Sequence, residues 1–226
     1  MRNPVTRGRS VLAGTLLILA QFTVVHSRPA SKESITFFGI EAISDKLVFA
    51  VGRPSTIVRT TNGGASWSIL HPPAANGNFF GVEFTDAQNG WVVGEHGIAL
   101  RTKDQGVSWT PARTGTNQNL VSIHFATAST GWIVGFGGTI LKTTNSGKSW
   151  LPQHSGGKED LWSVSFIDIK TGWIVGKGGT ILKTGNGGKE WSREKSGIQN
   201  FLYSVNFISP RLGWAVGGYG TVIKTS

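Results

Sequence analysis

The stretch that decides the fold reads Leu120-Val121-Ser122-Ile123-His124-Phe125, Thr130-Gly131-Trp132-Ile133-Val134-Gly135, Gly138-Thr139-Ile140-Leu141-Lys142-Thr143 and Asn145-Ser146-Gly147-Lys148-Ser149-Trp150. Its first three blocks are short, rich in β-branched and aromatic side chains, and punctuated by Gly, Asn or Ser, as antiparallel strands joined by tight turns are. The stretch recurs. Gly90-Trp91, Gly131-Trp132, Gly172-Trp173 and Gly213-Trp214 repeat roughly every 41 residues, and Trp67, Trp109, Trp150 and Trp191 keep the same spacing. The copies start at Phe37, Phe79, Leu120, Leu161 and Leu202, the first being fainter, with Phe49 where the others have Trp. Repetition at this period means one supersecondary unit copied and stacked.

Beyond the amino terminus no stretch sustains a 3.6-residue apolar period, so the chain is expected to be all-β. Four short strands per unit make one blade, and the reading is a beta-propeller of about five four-stranded blades. The pairs Gly137-Gly138 and Gly178-Gly179 fit a tight reversal between the second and third strands of a unit. Phe84, Phe125, Phe166 and Phe207 recur where they would fill the seams between blades. A right-handed β-helix, the competing repeat architecture, has shorter coils. Unit five ends at Thr221-Val222-Ile223-Lys224-Thr225-Ser226, its third strand, so the last blade is either incomplete or closed by the segment 28–35. Arg28-Pro29-Ala30-Ser31-Lys32-Glu33 is a poor strand. A five-bladed ring is the economical reading; an open array that needs a partner, or a shortened six- or seven-bladed parent, is the alternative.

Arg2, Arg7 and Arg9 precede an apolar run from Val11 to Val25, and Val25 and Ser27 suit the small-residue positions of a cleavage site. Residues 1–27 therefore read as a signal peptide, 28–35 as an amino-terminal segment and 36–226 as the repeat domain. Without 1–27 the chain holds 19 Lys+Arg against 12 Asp+Glu, net +7. That charge is scattered, whereas a nucleic-acid module concentrates it in a stripe. Acidic protein segments and anionic membrane surfaces are the partners it suits. The chain has no Cys, hence no disulfide, thiol ligand or lipidated amino terminus.

Between the third and fourth strands lie Thr61-Asn62-Gly63-Gly64-Ala65-Ser66-Trp67, Lys103-Asp104-Gln105-Gly106-Val107-Ser108-Trp109, Thr144-Asn145-Ser146-Gly147-Lys148-Ser149-Trp150 and Gly185-Asn186-Gly187-Gly188-Lys189-Glu190-Trp191. An Asn or Asp side chain here accepts from backbone amides just ahead, the Gly two residues on takes positive φ, and the Trp packs back over the hairpin. These turns resemble the Asp-box of bacterial neuraminidase (BNR) repeats, where the box is structural. Three of the four carry Asn and no second acid follows at a fixed spacing, which argues against calcium.

The fuller unit, Leu-x-Ser-Val-x-Phe, Gly-Trp-Ile-Val-Gly-x-Gly-Gly-Thr-Ile-Leu-Lys-Thr and the box, is similar to the photosystem II assembly and stability factor family over roughly residues 36–226. The resemblance implies a non-enzymatic propeller, periplasmic or in the thylakoid lumen, that binds an unassembled membrane-protein subunit. Members with that duty are seven-bladed, more blades than these units supply. The expected function is an exported protein-binding scaffold for such a client; the alternative is a carbohydrate-binding or sialidase-like propeller of the cell envelope, or a secreted one.

One position is basic in every unit, Arg59, Arg101, Lys142, Lys183 and Lys224, followed each time by Thr. Equivalent positions in a propeller form a ring at one height, and five cations there would focus positive potential on an acidic segment. The plainer reading is five solvated strand ends whose stems cover their own blades. Arg53, Glu95, Phe136, Lys177 and Gly218 share a turn position and differ in every copy, and His96 and Tyr219 follow two of them. Such variation suits either specificity or drift on a loop.

A sialidase site needs three convergent Arg, a Tyr nucleophile with a Glu partner and an Asp acid. Tyr203 and Tyr219 are the two Tyr, Tyr203 matches Val121 and Trp162 in the repeat and reads as scaffold, and no third Arg follows Arg59 and Arg101 in phase. His71, His96, His124 and His154 occupy different phases and form no ligand spacing. No catalytic residue, metal or cofactor is expected. Trp162 remains an aromatic face for a sugar, and an incomplete fifth unit would favour self-association.

Overall fold

The computed structural model describes residues 34–70, 72 and 76–225. The expected signal peptide, most of the segment 28–35, and His26 and His71 lie outside the described residues. Strands β1 (Thr36–Ala42), β2 (Val48–Arg53), β3 (Thr56–Thr60) and β4 (Ser68–Leu70) form the first antiparallel sheet in that order. The second sheet holds β5 (Phe79–Phe84), β6 (Gly90–Gly94), β7 (Ala99–Thr102) and β8 (Thr110–Pro111). The third holds β9 (Leu120–Phe125), β10 (Gly131–Gly135), β11 (Ile140–Thr143) and β12 (Leu151–Gln153). The fourth holds β13 (Leu161–Phe166), β14 (Gly172–Gly176), β15 (Ile181–Thr184) and β16 (Ser192–Glu194). The fifth has three described strands, β17 (Leu202–Ser209), β18 (Leu212–Gly217) and β19 (Val222–Lys224). The sole helical turns among the described residues are three-residue 3-10 turns at Glu95–Gly97, Phe136–Gly138 and Lys177–Gly179.

These are the blades of a beta-propeller. The second strand of each inner blade is an unbroken apolar run because both of its faces are covered: β6, β10 and β14 are buried at every residue. The outer strands β8, β12 and β16 are two or three residues long, which leaves little open edge. First strands pack side by side around the axis, β1 on β5, β5 on β9, β9 on β13 and β13 on β17. They belong to separate sheets, and polar side chains join them. Glu83 Oε1 accepts from Phe125 N–H at 3.0 Å, Ser165 Oγ from Phe207 N–H at 3.2 Å, and His124 Nε2 donates to Phe166 O at 3.0 Å.

The hydrophobic core is divided among the seams. Trp91, Val93 and Ala99 of blade two meet Leu120, Ile123, Phe125 and Trp150 of blade three. Trp132, Val134 and Ile140 repeat the arrangement against Leu161, Val164 and Phe166, and Trp173 and Val175 repeat it against Leu202, Val205 and Phe207. The recurrent Phe residues thus fill the seams, as their spacing predicts. The box Trp residues join them edge-on: Trp150 lies 5.6 Å from Trp91 and 5.9 Å from Phe125.

Among the described residues the series does not close into a ring. No contact like those between successive first strands joins β17 to β1, and the blade faces at the two ends are exposed. The described residues form an open array of five blades.

Candidate partner-binding surface

Two rims can be told apart by their hydrogen bonds. On one, each box turn ties to the loop between first and second strands: Gln105 N–H donates to Gln88 O at 3.1 Å, Ser146 N–H to Ser129 O at 3.0 Å and Gly187 N–H to Lys170 O at 2.7 Å. On the other, the turn between second and third strands ties to the segment entering each blade. Phe136 N–H donates to Asn119 O at 2.9 Å, Gly137 N–H to Asp160 Oδ1 at 3.0 Å and Gly179 N–H to Asn200 O at 2.8 Å.

The box turns are built alike. In blade three the hydroxyl of Thr143 donates to Asn145 Oδ1 at 2.9 Å and accepts from Gly147 N–H at 2.9 Å, while Ser149 N–H donates to Asn145 Oδ1 at 3.0 Å. Thr60 with Asn62 and Gly64, Thr102 with Asp104 and Gly106, and Thr184 with Asn186 and Gly188 repeat this geometry. The Thr before the box anchors the turn, a role its recurrence in every copy signals. In blade two the acceptor is charged, and donors from Ser108 and Thr102 hold the Asp104 carboxyl at about 2, below its ordinary 3.8.

The five basic positions come to equivalent places on the third strands, paired across the sheet with the aromatic residue of the second: Arg59 with Phe49, Arg101 with Trp91, Lys142 with Trp132, Lys183 with Trp173 and Lys224 with Trp214. Three sit over an indole, Arg101 at 5.4 Å, Lys142 at 5.1 Å and Lys183 at 5.7 Å, a cation–π arrangement. Lys142 Nζ also donates to Gly187 O of the next blade at 2.7 Å, and burial with the charge of Lys189 lowers its pKa. Arg59, Arg101, Lys142 and Lys183 are half-buried and Lys224 is exposed.

The opposite rim carries a feature the repeat reading missed. All five first strands shift register at one repeat position, after Phe37 in β1 and after the first residue of β5, β9, β13 and β17, and such bulges re-aim a side chain. The second position holds Phe38, Phe80, Val121, Trp162 and Tyr203, none of them buried. Rings touch across blades: Phe38 and Phe80 lie 5.5 Å apart and Trp162 and Tyr203 5.8 Å apart. Phe136, from a variable turn, lies 5.3 Å from Trp162, and Phe201 6.2 Å from Tyr203. Tyr203 is therefore half-exposed in an aromatic row. Its signal in the sequence was four aromatics in five copies at one position. In the turns between second and third strands His96 and Tyr219 hold φ of 55°, and Tyr219 is 93% exposed. Left-handed backbone in a non-glycine residue costs roughly 1–2 kcal/mol.

Among the described residues no three His, Cys, Asp or Glu side chains are grouped to hold a metal ion. His124 lies between Glu83, 3.7 Å away, and Phe166 O; His96 is in its rim turn and His154 in the segment entering blade four. No helix among the described residues is long and apolar enough to cross a membrane.

A family model described as photosynthesis system II assembly factor YCF48 matches residues 26–114 and 109–198. The chain belongs to the YCF48 family. That family is non-enzymatic, and its known members are lumenal or periplasmic. At family level its role is protein binding of the assembly-factor kind. Among solved structures, a YCF48 bound to a D1 peptide is 18% identical, with 84% of this chain and 93% of that one covered and a TM-score of 0.46. The WD40 propeller of Doa1 is 13% identical, covers 86% of this chain and 66% of that one, and gives 0.71. A GH74 enzyme from Niastella koreensis is 14% identical over 80% of this YCF48-family chain and 35% of its own, at 0.67. The last two likenesses are of fold. Comparison with the curated proteins gives no match.

Proposed function

We propose that this chain is an exported scaffold that holds a segment of an unassembled membrane-protein client along the rim carrying Phe136, Trp162 and Tyr203. The aromatic row carries the reading. Seam aromatics are buried, yet Phe38 meets Phe80 and Trp162 meets Tyr203 edge to face while none of the four is buried. Accessible aromatic patches of this kind mark interaction sites, and rigid aromatic side chains anchor most binding hot spots. The variable turn residues Arg53, Glu95, Lys177 and Gly218 share the turn position of Phe136, where differences between blades give one client its register. A photo-crosslinking amino acid at Tyr203 should capture membrane-protein segments, and Trp162→Ala should abolish the capture. Equal capture from Lys103 on the box rim would defeat the assignment.

A second reading places an acidic client segment over Arg59, Arg101, Lys142, Lys183 and Lys224. It is favoured by the presence of a cation at this position in all five blades. Lys183→Gln with Lys224→Gln should then weaken capture and flatten its salt dependence, and unchanged capture would remove it.

A further inference from the structure

We infer that two copies of this chain associate head to tail, the first blade of one seated on the fifth blade of the other. The argument is that the two open faces are the two halves of an interface the chain already makes four times. Each seam pairs a leading face, from the second and third strands of one blade, with a trailing face from the first strand of the next, joined in the first three seams by its box turn. The leading triads Phe49, Val51, Ile57 and Trp91, Val93, Ala99 are covered, as are Trp132, Val134 and Ile140. The corresponding triad of blade five, Trp214, Val216 and Val222, is 37%, 38% and 67% exposed. On the trailing side Phe37 and Ile40 are 47% and 70% exposed, whereas Leu202 and Val205 at the same positions are 0% and 7%.

The box turn repeats the pattern. A Cβ on Gly147 would fall 2.1 Å from Trp91 of the preceding blade and one on Gly106 2.4 Å from Phe49, so a large ring fills both of these seats, while at Gly188 the Gln153 side chain of the preceding blade fills the place, 2.1 Å away. At Gly64 the nearest atoms belong to its own Trp67, at 3.7 and 3.8 Å. That seat is open, and Trp214 is the equivalent ring with no seat. Lys142 donates to Gly187 O across its seam, and Lys224 stands in the same relation to the Gly63 carbonyl of a docked copy. One difference sets the strength. Ala42 stands where Phe84, Phe125, Phe166 and Phe207 stack on the preceding blade, so the intermolecular seam lacks that ring and is weaker than the internal ones. Because the contact joins unlike faces, it is heterologous: it closes a ring or adds further copies.

Sedimentation velocity across a wide range of protein concentration tests this. The wild type should rise in mean mass with concentration. Ile40→Asp, which spoils the trailing face, and Trp214→Asp, which spoils the leading face, should each remain single chains with an unchanged circular-dichroism spectrum. Mixed, they should recover a one-to-one pair, since each retains the face the other lost. A wild type that stays a single chain throughout, or variants that fail to complement on mixing while both stay folded, would overturn the inference.

Discussion

Trp173 and Phe207 lie face to face across a blade boundary, with ring centroids 3.6 Å apart and planes 2° from parallel. The stack joins a second strand to the first strand of the next blade, and the same pairing recurs between Trp132 and Phe166 at 3.5 Å. Removing one ring leaves a cavity in a seam that both blades share. Phe207→Ala is expected to lower unfolding stability by about 3–5 kcal/mol, measured by chemical denaturation. A double-mutant cycle with Trp173→Leu should show a coupling of roughly 0.5–1.5 kcal/mol. Additive effects would mean that the rings contribute burial alone.

The box turn depends on a Thr hydroxyl as well as on its Asn or Asp. Thr143 is buried, and its hydroxyl serves Gly147 N–H and Asn145 at once. Thr143→Val keeps the shape and leaves the Gly147 amide without its acceptor. A buried donor stranded in this way costs about 1–3 kcal/mol. Thr143→Ser keeps the hydroxyl and should recover most of that loss in the same denaturation experiment; equal losses for Val and Ser would assign the role to the methyl group.

The period, the strands and the seams were legible because each depends on local pattern: apolar runs for the second strands, Gly-rich reversals, and Phe84, Phe125, Phe166 and Phe207 at one phase. The basic positions were legible as a series, though not as residues lying over Trp91, Trp132 and Trp173, since cross-strand register is settled by the hairpin. The aromatic row was hidden by the bulge, which breaks the simple in–out alternation at Phe38, Phe80, Trp162 and Tyr203. Closure was not legible at all. It depends on the rotation between blades, a sum of small packing differences at each seam, and no residue motif records that sum.

Gly147 and Gly64 occupy the same box position with φ of 70° and 91°. Gly64→Ala meets open space beyond Trp67, so its cost is that of holding an alanine in left-handed backbone, about 1–2 kcal/mol. Gly147→Ala adds a collision with the Trp91 ring and must push blades two and three apart. Its loss of stability should exceed that of Gly64→Ala by at least about 1 kcal/mol. Calorimetric melting of the two variants compares them directly, and equal shifts in Tm would show that the seam yields at no cost.

Asp104 is an acid at the position that is Asn in the other three boxes, and this gives its turn a pH dependence of its own. Hydrogen bonds from the Ser108 hydroxyl and amide and from the Thr102 hydroxyl favour its carboxylate and hold the pKa at about 2, against 3.8 without them. A carboxyl whose folded pKa is depressed stabilises the fold above the unfolded value, and that stabilisation is lost as protons bind on the way down to the folded value. For Asp104 the loss runs from about pH 4 to about pH 2. Asp104→Asn supplies the acceptor that Asn62, Asn145 and Asn186 supply in the other boxes, so the variant should fold normally and lack this titration. Wild type should be the more stable at neutral pH by an amount that stays constant down to the acid range and then shrinks through that window. Urea midpoints of both proteins, measured from neutral pH downward, give the difference at each step; a difference that does not change with pH would show that the Asp104 carboxylate draws nothing from its donors.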